Sequence, residues 1–376
     1  MNFESLRSRP VKNTKLTVIL ACSVIAFAAL GKIAGAAPES AMRAPMMDPI
    51  TGTKYKATSD MATVLTTLKG LNGKPIESLT PAEARQQPTV ADAVKAVLTA
   101  KGKATDPTKL VPGVTSRDTT IPGPAGALPV RVYTPTGSGP FPVVVYFHGG
   151  GWVIANKEVY DGGARGLSKA SRAVVVSVDY RLAPEAKFPA AWDDALAAYK
   201  YVSMNAATMQ GDPKNLALAG ESAGGNLAVS TAVSALAASL PAPKAVIAVY
   251  PVAQTGNMMT ASYVDSATAK PLNKAMISWF VDKLLVSPAD KTDTRLDVVH
   301  AKLAGLPPVT IINAQIDPLR SDGEMLEQAL KQAGVTVERK VYPGVTHEFF
   351  GTAAVVKEAQ EAQTFAGEQL KAAFKN

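Results

Sequence analysis

Five short apolar runs constrain this chain more than any other feature, at residues 141–147, 173–178, 216–219, 244–250 and 308–313. The first, FPVVVYF, follows a Gly-Ser-Gly-Pro turn and is almost wholly β-branched or aromatic. Such a run reads as a strand covered on both faces. Residues 129–133 and 337–342 read as further strands. Helical spacing falls between the strands at 191–201, in the Ala-rich stretch after Ser222 to about Leu240, and at 321–333 before Gly334. Val355, Val356, Ala359, Ala362, Phe365 and Leu370 mark a closing helix. Buried strands alternating with helices predict an α/β fold with a mostly parallel, doubly wound sheet.

The ends of the chain read differently from this central pattern. Residues 1–36 begin with Arg7, Arg9, Lys12 and Lys15, continue into an uncharged apolar run at 16–30, and offer Ala34-Gly35-Ala36 for cleavage. That is the layout of a signal peptide, and the run is short for a membrane span. Export to the periplasm or medium is expected after cleavage, and membrane attachment if the segment is retained. With Lys32 and Glu4 counted, the segment carries +4 of the net +8, so +4 remains for the rest. It also carries the only cysteine, Cys22. No disulfide or Cys-based metal site is then expected, and no basic run with interleaved aromatics suggests nucleic acid. Residues 37–56 read as a mobile linker. Ser59-Asp60 and Thr80-Pro81-Ala82-Glu83 start helices, and Val90, Ala93, Val94, Val97 and Leu98 continue at helical spacing. Residues 37–110 are therefore expected to form a linker and helical cap, and 111–376 the main domain. The Met- and Ser-rich stretch at 254–290, with Met276, Trp279 and Phe280, interrupts the alternation and reads as a lid or pocket wall.

Chemistry is suggested by Gly220-Glu221-Ser222-Ala223-Gly224-Gly225, which leaves one strand and opens a helix. A serine on so sharp a turn stands clear of the sheet edge, provided the residues two away on either side are small. A serine nucleophile needs a base and an orienting acid. Of the three histidines, His347 lies in a loop after the last strand. His148 precedes three glycines, and His300 lies in a polar connection. Asp317 follows the strand at 308–313, with Asp322 as the rival at a helix start. The order Ser…Asp…His suits such a site. His148-Gly149-Gly150-Gly151-Trp152 offers unobstructed backbone N–H groups for an oxyanion, with the Ala223 N–H as a further donor. Neither a phosphate-binding glycine motif nor a metal-ligand cluster is seen.

The motifs HGGGW (148–152), GESAGG (220–225), Asp317-Pro318-Leu319-Arg320, the His347 loop, YRLAPE (180–185), FPAA (188–191) and LAGLPP (303–308) resemble the bacterial hormone-sensitive-lipase-like (family IV) esterases. The resemblance covers roughly residues 110–350 and implies an α/β-hydrolase fold with a helical cap. It implies a Ser222–Asp317–His347 triad, an oxyanion hole from Gly149, Gly150 and Ala223, no cofactor, and a small-molecule ester of short to medium acyl length as substrate. Glu221 departs from the more frequent Asp, and Ser321 stands where a further acidic residue is usual. Arg181 and Glu185 are read as a structural pair, and residues 180–185 as support beneath the glycine loop. Amide or lactone hydrolysis on the same triad and a binding protein on an inactive fold are the alternatives. Oligomeric state is left open, a homodimer included.

Overall fold

A computed structural model describes residues 46–375. The expected signal segment and Cys22 lie outside them. The described chain forms one eight-stranded sheet in the order β1-β2-β4-β3-β5-β6-β7-β8. The strands are β1 Val114–Gly123, β2 Gly126–Pro135, β3 Phe141–Phe147, β4 Val174–Val178, β5 Gly211–Glu221, β6 Val246–Val249, β7 Val309–Ile316 and β8 Val337–Thr346. β1 and β2 pair antiparallel, as do β2 and β4, and every other pairing is parallel. The helices are α1 Ser59–Gly70, α2 Pro81–Ala84, α3 Val90–Ala100, α4 Pro107–Leu110, α5 Asp161–Ser171, α6 Ala190–Asn205, α7 Ala223–Ala237, α8 Ala261–Asp265, α9 Lys274–Leu284, α10 Arg320–Gln332 and α11 Lys357–Ala373.

Period-two alternation along the strands divides the core into two layers. Val143, Val145 and Phe147 of β3 join the layer under α6, α7 and α10, while Val144 and Tyr146 join the layer under α5 and α11. Each Val or Leu buried this way contributes about 1.5–3 kcal/mol. The central strands are covered on both faces, as their continuous apolar sequence requires. The chain therefore adopts the α/β-hydrolase architecture, a mostly parallel sheet wrapped by helices.

Above the strand ends lie α1–α3 and the stretch from 254 to 290. Thr80 with Glu83 and Thr89 with Asp92 form reciprocal capping boxes at the starts of α2 and α3. Of the linker expected for 37–56, only residues 46–56 are described, and these are not loose. They are fastened to the 254–290 stretch. The Lys270 N–H donates to the Thr51 carbonyl at 3.0 Å, and the Thr268 hydroxyl to the Gly52 carbonyl at 2.5 Å. Lys54 Nζ lies 2.8 Å from Asp265, and the Tyr55 hydroxyl donates to the same carboxylate at 3.1 Å. Proline and methionine suggested looseness, but the threonines and Lys54 find partners far along the chain.

Candidate active site

β5 ends at Glu221 and α7 starts at Ala223, so Ser222 alone makes the turn, with φ 58° and ψ −118°. This is a backbone conformation that side-chain-bearing residues rarely adopt, and here the surroundings hold it. The Ser222 N–H donates to the Val249 carbonyl at 2.8 Å, and the Val252 and Asn226 N–H groups donate back to the Ser222 carbonyl. A Cβ on Gly220 would lie 2.1 Å from the Gly224 carbonyl oxygen, and one on Gly224 would lie 2.0 Å from that of Phe147. Both positions are closed to any side chain.

Three side chains from three strand ends converge. The Ser222 hydroxyl donates to His347 Nε2 at 2.9 Å, and His347 Nδ1–H donates to Asp317 Oδ2 at 2.8 Å. The other Asp317 oxygen accepts the Leu319 N–H at 2.8 Å. All three are buried, Asp317 completely. Burial by itself would depress the His347 pKa, but the adjacent Asp317 carboxylate overrides it, and the imidazole is raised above its usual value. The tautomer carrying hydrogen on Nδ1 leaves the Nε2 lone pair facing the serine.

The glycine loop brings its backbone to the same point. Gly150 has φ 99°, and a Cβ there would strike the Ile154 carbonyl. Among the described residues, no acceptor takes the N–H of Gly149, Gly150 or Ala223. The Tyr180 hydroxyl donates to the His148 carbonyl at 2.7 Å, and the Ala183 N–H to the Trp152 carbonyl at 2.8 Å, so residues 180–183 support the loop from below.

The other candidate side chains serve elsewhere. Asp322 is as buried as Asp317 but accepts the Ala253 and Gln254 N–H groups, at 3.0 and 3.4 Å, and pins the exit of β6. Burial pushes its carboxyl up to about 8. His148 stacks on Tyr180 at 4.3 Å, and burial lowers its pKa. His300 is exposed and pairs with Asp297. The expected Arg181–Glu185 pair does not form. Arg181 instead grips Asp194 of α6 at 2.8 Å. Glu185 takes a two-pronged grip from Arg85, at 2.7 and 2.9 Å, because the cap brings a better-placed guanidinium across.

Two contributors were not foreseen. Arg85 also donates to the Val153 and Ala183 carbonyls, both at 2.9 Å, and so ties the cap to the end of the glycine loop. Glu221 accepts hydrogen bonds from the Tyr146 and Tyr250 hydroxyls, and the Tyr250 ring lies 4.5 Å from the His347 ring. Burial pushes the Glu221 carboxyl up to about 7, against the two tyrosine hydrogen bonds that favour its charge. No signal in the sequence connects Tyr146 with Tyr250, since the link is made only when their strands pair with β5. Among the described residues, no group of three or more His, Cys, Asp or Glu is placed to hold a metal.

Comparison with known proteins fits this arrangement. Residues 144–351 match a family described as having the alpha/beta hydrolase fold. The carboxylesterase NlhH of Mycobacterium tuberculosis is 38% identical over 73% of this chain and 88% of its own length. The ethyl acetate hydrolase of Pseudomonas putida is 33% identical over 79% and 92%. The crystal structure of a thermostable esterase from Pseudomonas putida ECU1011 superposes with a TM-score of 0.74 at 31% identity, covering 84% of this chain and 97% of that one. The esterase of the archaeon Pyrobaculum calidifontis does so with a TM-score of 0.73 at 34% identity, covering 82% and 96%. With a nucleophile-type turn, a glycine loop and relatives of this closeness, the chain belongs to the hormone-sensitive-lipase-like esterases, serine hydrolases of the α/β-hydrolase fold.

Proposed function

We propose that this enzyme hydrolyses carboxylic esters of short to medium acyl length through an acyl-enzyme on Ser222. The reading is carried by the unbroken hydrogen-bonded line Asp317–His347–Ser222, which ends beside N–H groups that no acceptor takes among the described residues. Relatives named carboxylesterase and ethyl acetate hydrolase support the same substrate class.

Ser222 Oγ attacks the ester carbonyl carbon while its proton passes to His347 Nε2. The carbonyl oxygen takes the negative charge, and the N–H groups of Gly149, Gly150 and Ala223 stabilise it. Collapse breaks the bond to the alcohol oxygen, which leaves with the proton from His347. Water then gives a proton to His347 and attacks the acyl carbon, and Ser222 Oγ leaves with that proton as the acid departs. Asp317 holds the imidazole in one tautomer and stabilises its charged form.

Hydrolysis of nitrophenyl esters from acetate to palmitate tests this. Ser222→Ala should lower turnover by roughly 10⁴-fold or more, with the circular dichroism unchanged. Wild-type-like turnover in that variant would sink the proposal.

A further inference from the structure

Ser222 and His347 both line a chamber of about 30 Å³ whose walls include Trp152, Val252, Ile277, Phe280 and Leu319. A large cleft of about 1390 Å³ between the cap and the main domain reaches Arg85, His148 and Tyr180 but neither of the reacting side chains. Among the apolar walls of the chamber stands one hydroxyl that the mechanism has not used, that of Thr255. Thr255 is 1% exposed, and its Oγ1 has no hydrogen-bond partner among the described residues. Leaving a buried hydroxyl unpaired is costly, so such a group calls for a physical reason.

We propose that Thr255 positions the water that attacks the acyl-enzyme. This deepens the esterase reading and rests on it. In that step the water oxygen bonds to the acyl carbon and one water proton passes to His347 Nε2. The bond from Ser222 Oγ to that carbon then breaks, and Oγ takes the proton from His347. The water must stand within about 3 Å of Nε2 to give up its proton. The chamber is the space that His347 faces, and it has room for about two water molecules. With one hydrogen on Nε2, the lone pair is aimed at the acyl carbon only if the second hydrogen is also fixed, and that needs an acceptor. Ser222 is acylated at this stage. The Glu348 carboxyl is engaged by the Tyr160 hydroxyl at 3.3 Å. Trp152 also has an indole N–H without an acceptor among the described residues, but an N–H can only donate. The Thr255 hydroxyl can accept.

The chain around Thr255 is anchored on both sides. Asp322 accepts the N–H groups of Ala253 at 3.0 Å and Gln254 at 3.4 Å. The Gln254 side chain closes the turn beyond, donating to the Asn257 carbonyl at 2.9 Å and accepting the Asn257 N–H at 2.6 Å. Earlier in the same stretch, the Val252 N–H donates to the Ser222 carbonyl at 3.2 Å. Thr255 is therefore held in register with the nucleophile by backbone that is itself tied down, which is what placing a water to within a fraction of an ångström requires.

The experiment separates the two half-reactions with 4-nitrophenyl acetate. Steady-state kcat, together with the fraction of enzyme found acetylated by mass spectrometry after acid quenching under saturating ester, gives both rate constants. Thr255→Val keeps the shape of the side chain and removes the hydroxyl. Its deacylation constant should fall by roughly tenfold, the effect of one lost hydrogen bond in the transition state, while the acylation constant stays within about twofold. The acetyl-enzyme should then accumulate. Thr255→Ser should restore deacylation, and Thr255→Ala serves in place of valine if that variant does not fold. An equal fall in both constants would show that Thr255 shapes the site as a whole, and overturns the proposal. So does a deacylation constant that does not change, or a serine variant as slow as the valine one. If the unsubstituted enzyme does not hydrolyse 4-nitrophenyl acetate or any other ester of the nitrophenyl series, the esterase reading fails and this proposal with it.

Discussion

Around Ser222 the fold is set by backbone lying against backbone. The Gly224 backbone touches the Phe147 carbonyl, Gly220 touches Gly224, and the Ser222 N–H reaches the Val249 carbonyl. In the cap, segments distant in sequence are held by side-chain clasps: Arg85 on Glu185, Lys54 and Tyr55 on Asp265, Trp279 on the Leu79 carbonyl. Backbone contact of the first kind has no tolerance, because neither partner can change rotamer. Clasps of the second kind are partly solvated, and each contributes about 1 kcal/mol or less. Damage to the frame should therefore remove chemistry, and damage to the cap should alter binding.

The largest effect is expected inside the frame. Asp317→Asn keeps the shape of the side chain but removes the charge that fixes and raises His347. Turnover should fall by roughly 10³–10⁴-fold. The pH dependence should move as well. The base must be neutral to accept the serine proton, so wild-type activity climbs as pH rises through a His347 pKa above 6.5. Without the carboxylate, burial dominates and favours the neutral imidazole. The acid limb of the residual activity should then shift to lower pH. A limb that stays in place would mean that Asp317 does not govern His347.

Next comes a pair of glycines that separates the two regions. Gly224→Ala places a Cβ 2.0 Å from the Phe147 oxygen and 2.5 Å from that of His148, and neither can swing away. Stability should fall by about 3 kcal/mol, with most activity lost. Gly70, the last residue of α1, has open space around its missing Cβ and no positive φ. Gly70→Ala should be neutral or stabilise by about 0.5 kcal/mol. Thermal unfolding of both variants checks the contrast, and equal losses would show that the cap is packed as tightly as the frame.

This division also explains what the sequence revealed. β-Branched apolar runs announced the central strands, and the short turn motifs pointed to Ser222, Asp317 and His347, each just after a strand. β1 was missed because it is a polar, largely exposed edge strand with no apolar period. α5 drew no reading from the sequence, where Gly162, Gly163 and Gly166 weaken any helical signal. They are there for proximity: a Cβ on Gly163 would meet Glu221, and one on Gly166 would lie 2.0 Å from the Gln363 oxygen. Arg85 and Glu185 stand 100 residues apart, and local pattern favoured the nearer Arg181. Local chemistry was legible, whereas pairings made only by the closed fold were not.

Arg85 is the smallest test and the one most specific to the cap. Its guanidinium holds the exposed Glu185 carboxyl down to about 2, and it also braces Val153 and Ala183. Because the folded pKa lies below the usual 4.5, the clasp stabilises the protein above about pH 4.5 and loses that contribution as pH falls toward 2. Arg85→Ala should lower Tm by about 2 °C at neutral pH, with the difference from wild type shrinking below pH 4. Arg85 lines the large cleft and touches neither Ser222 nor His347. KM for a 4-nitrophenyl ester should therefore rise by roughly threefold with kcat little changed, since binding is lost equally from the ground and transition states. A tenfold fall in kcat at unchanged KM would place Arg85 in the catalytic frame through Val153 and erase the distinction between frame and cap at that point.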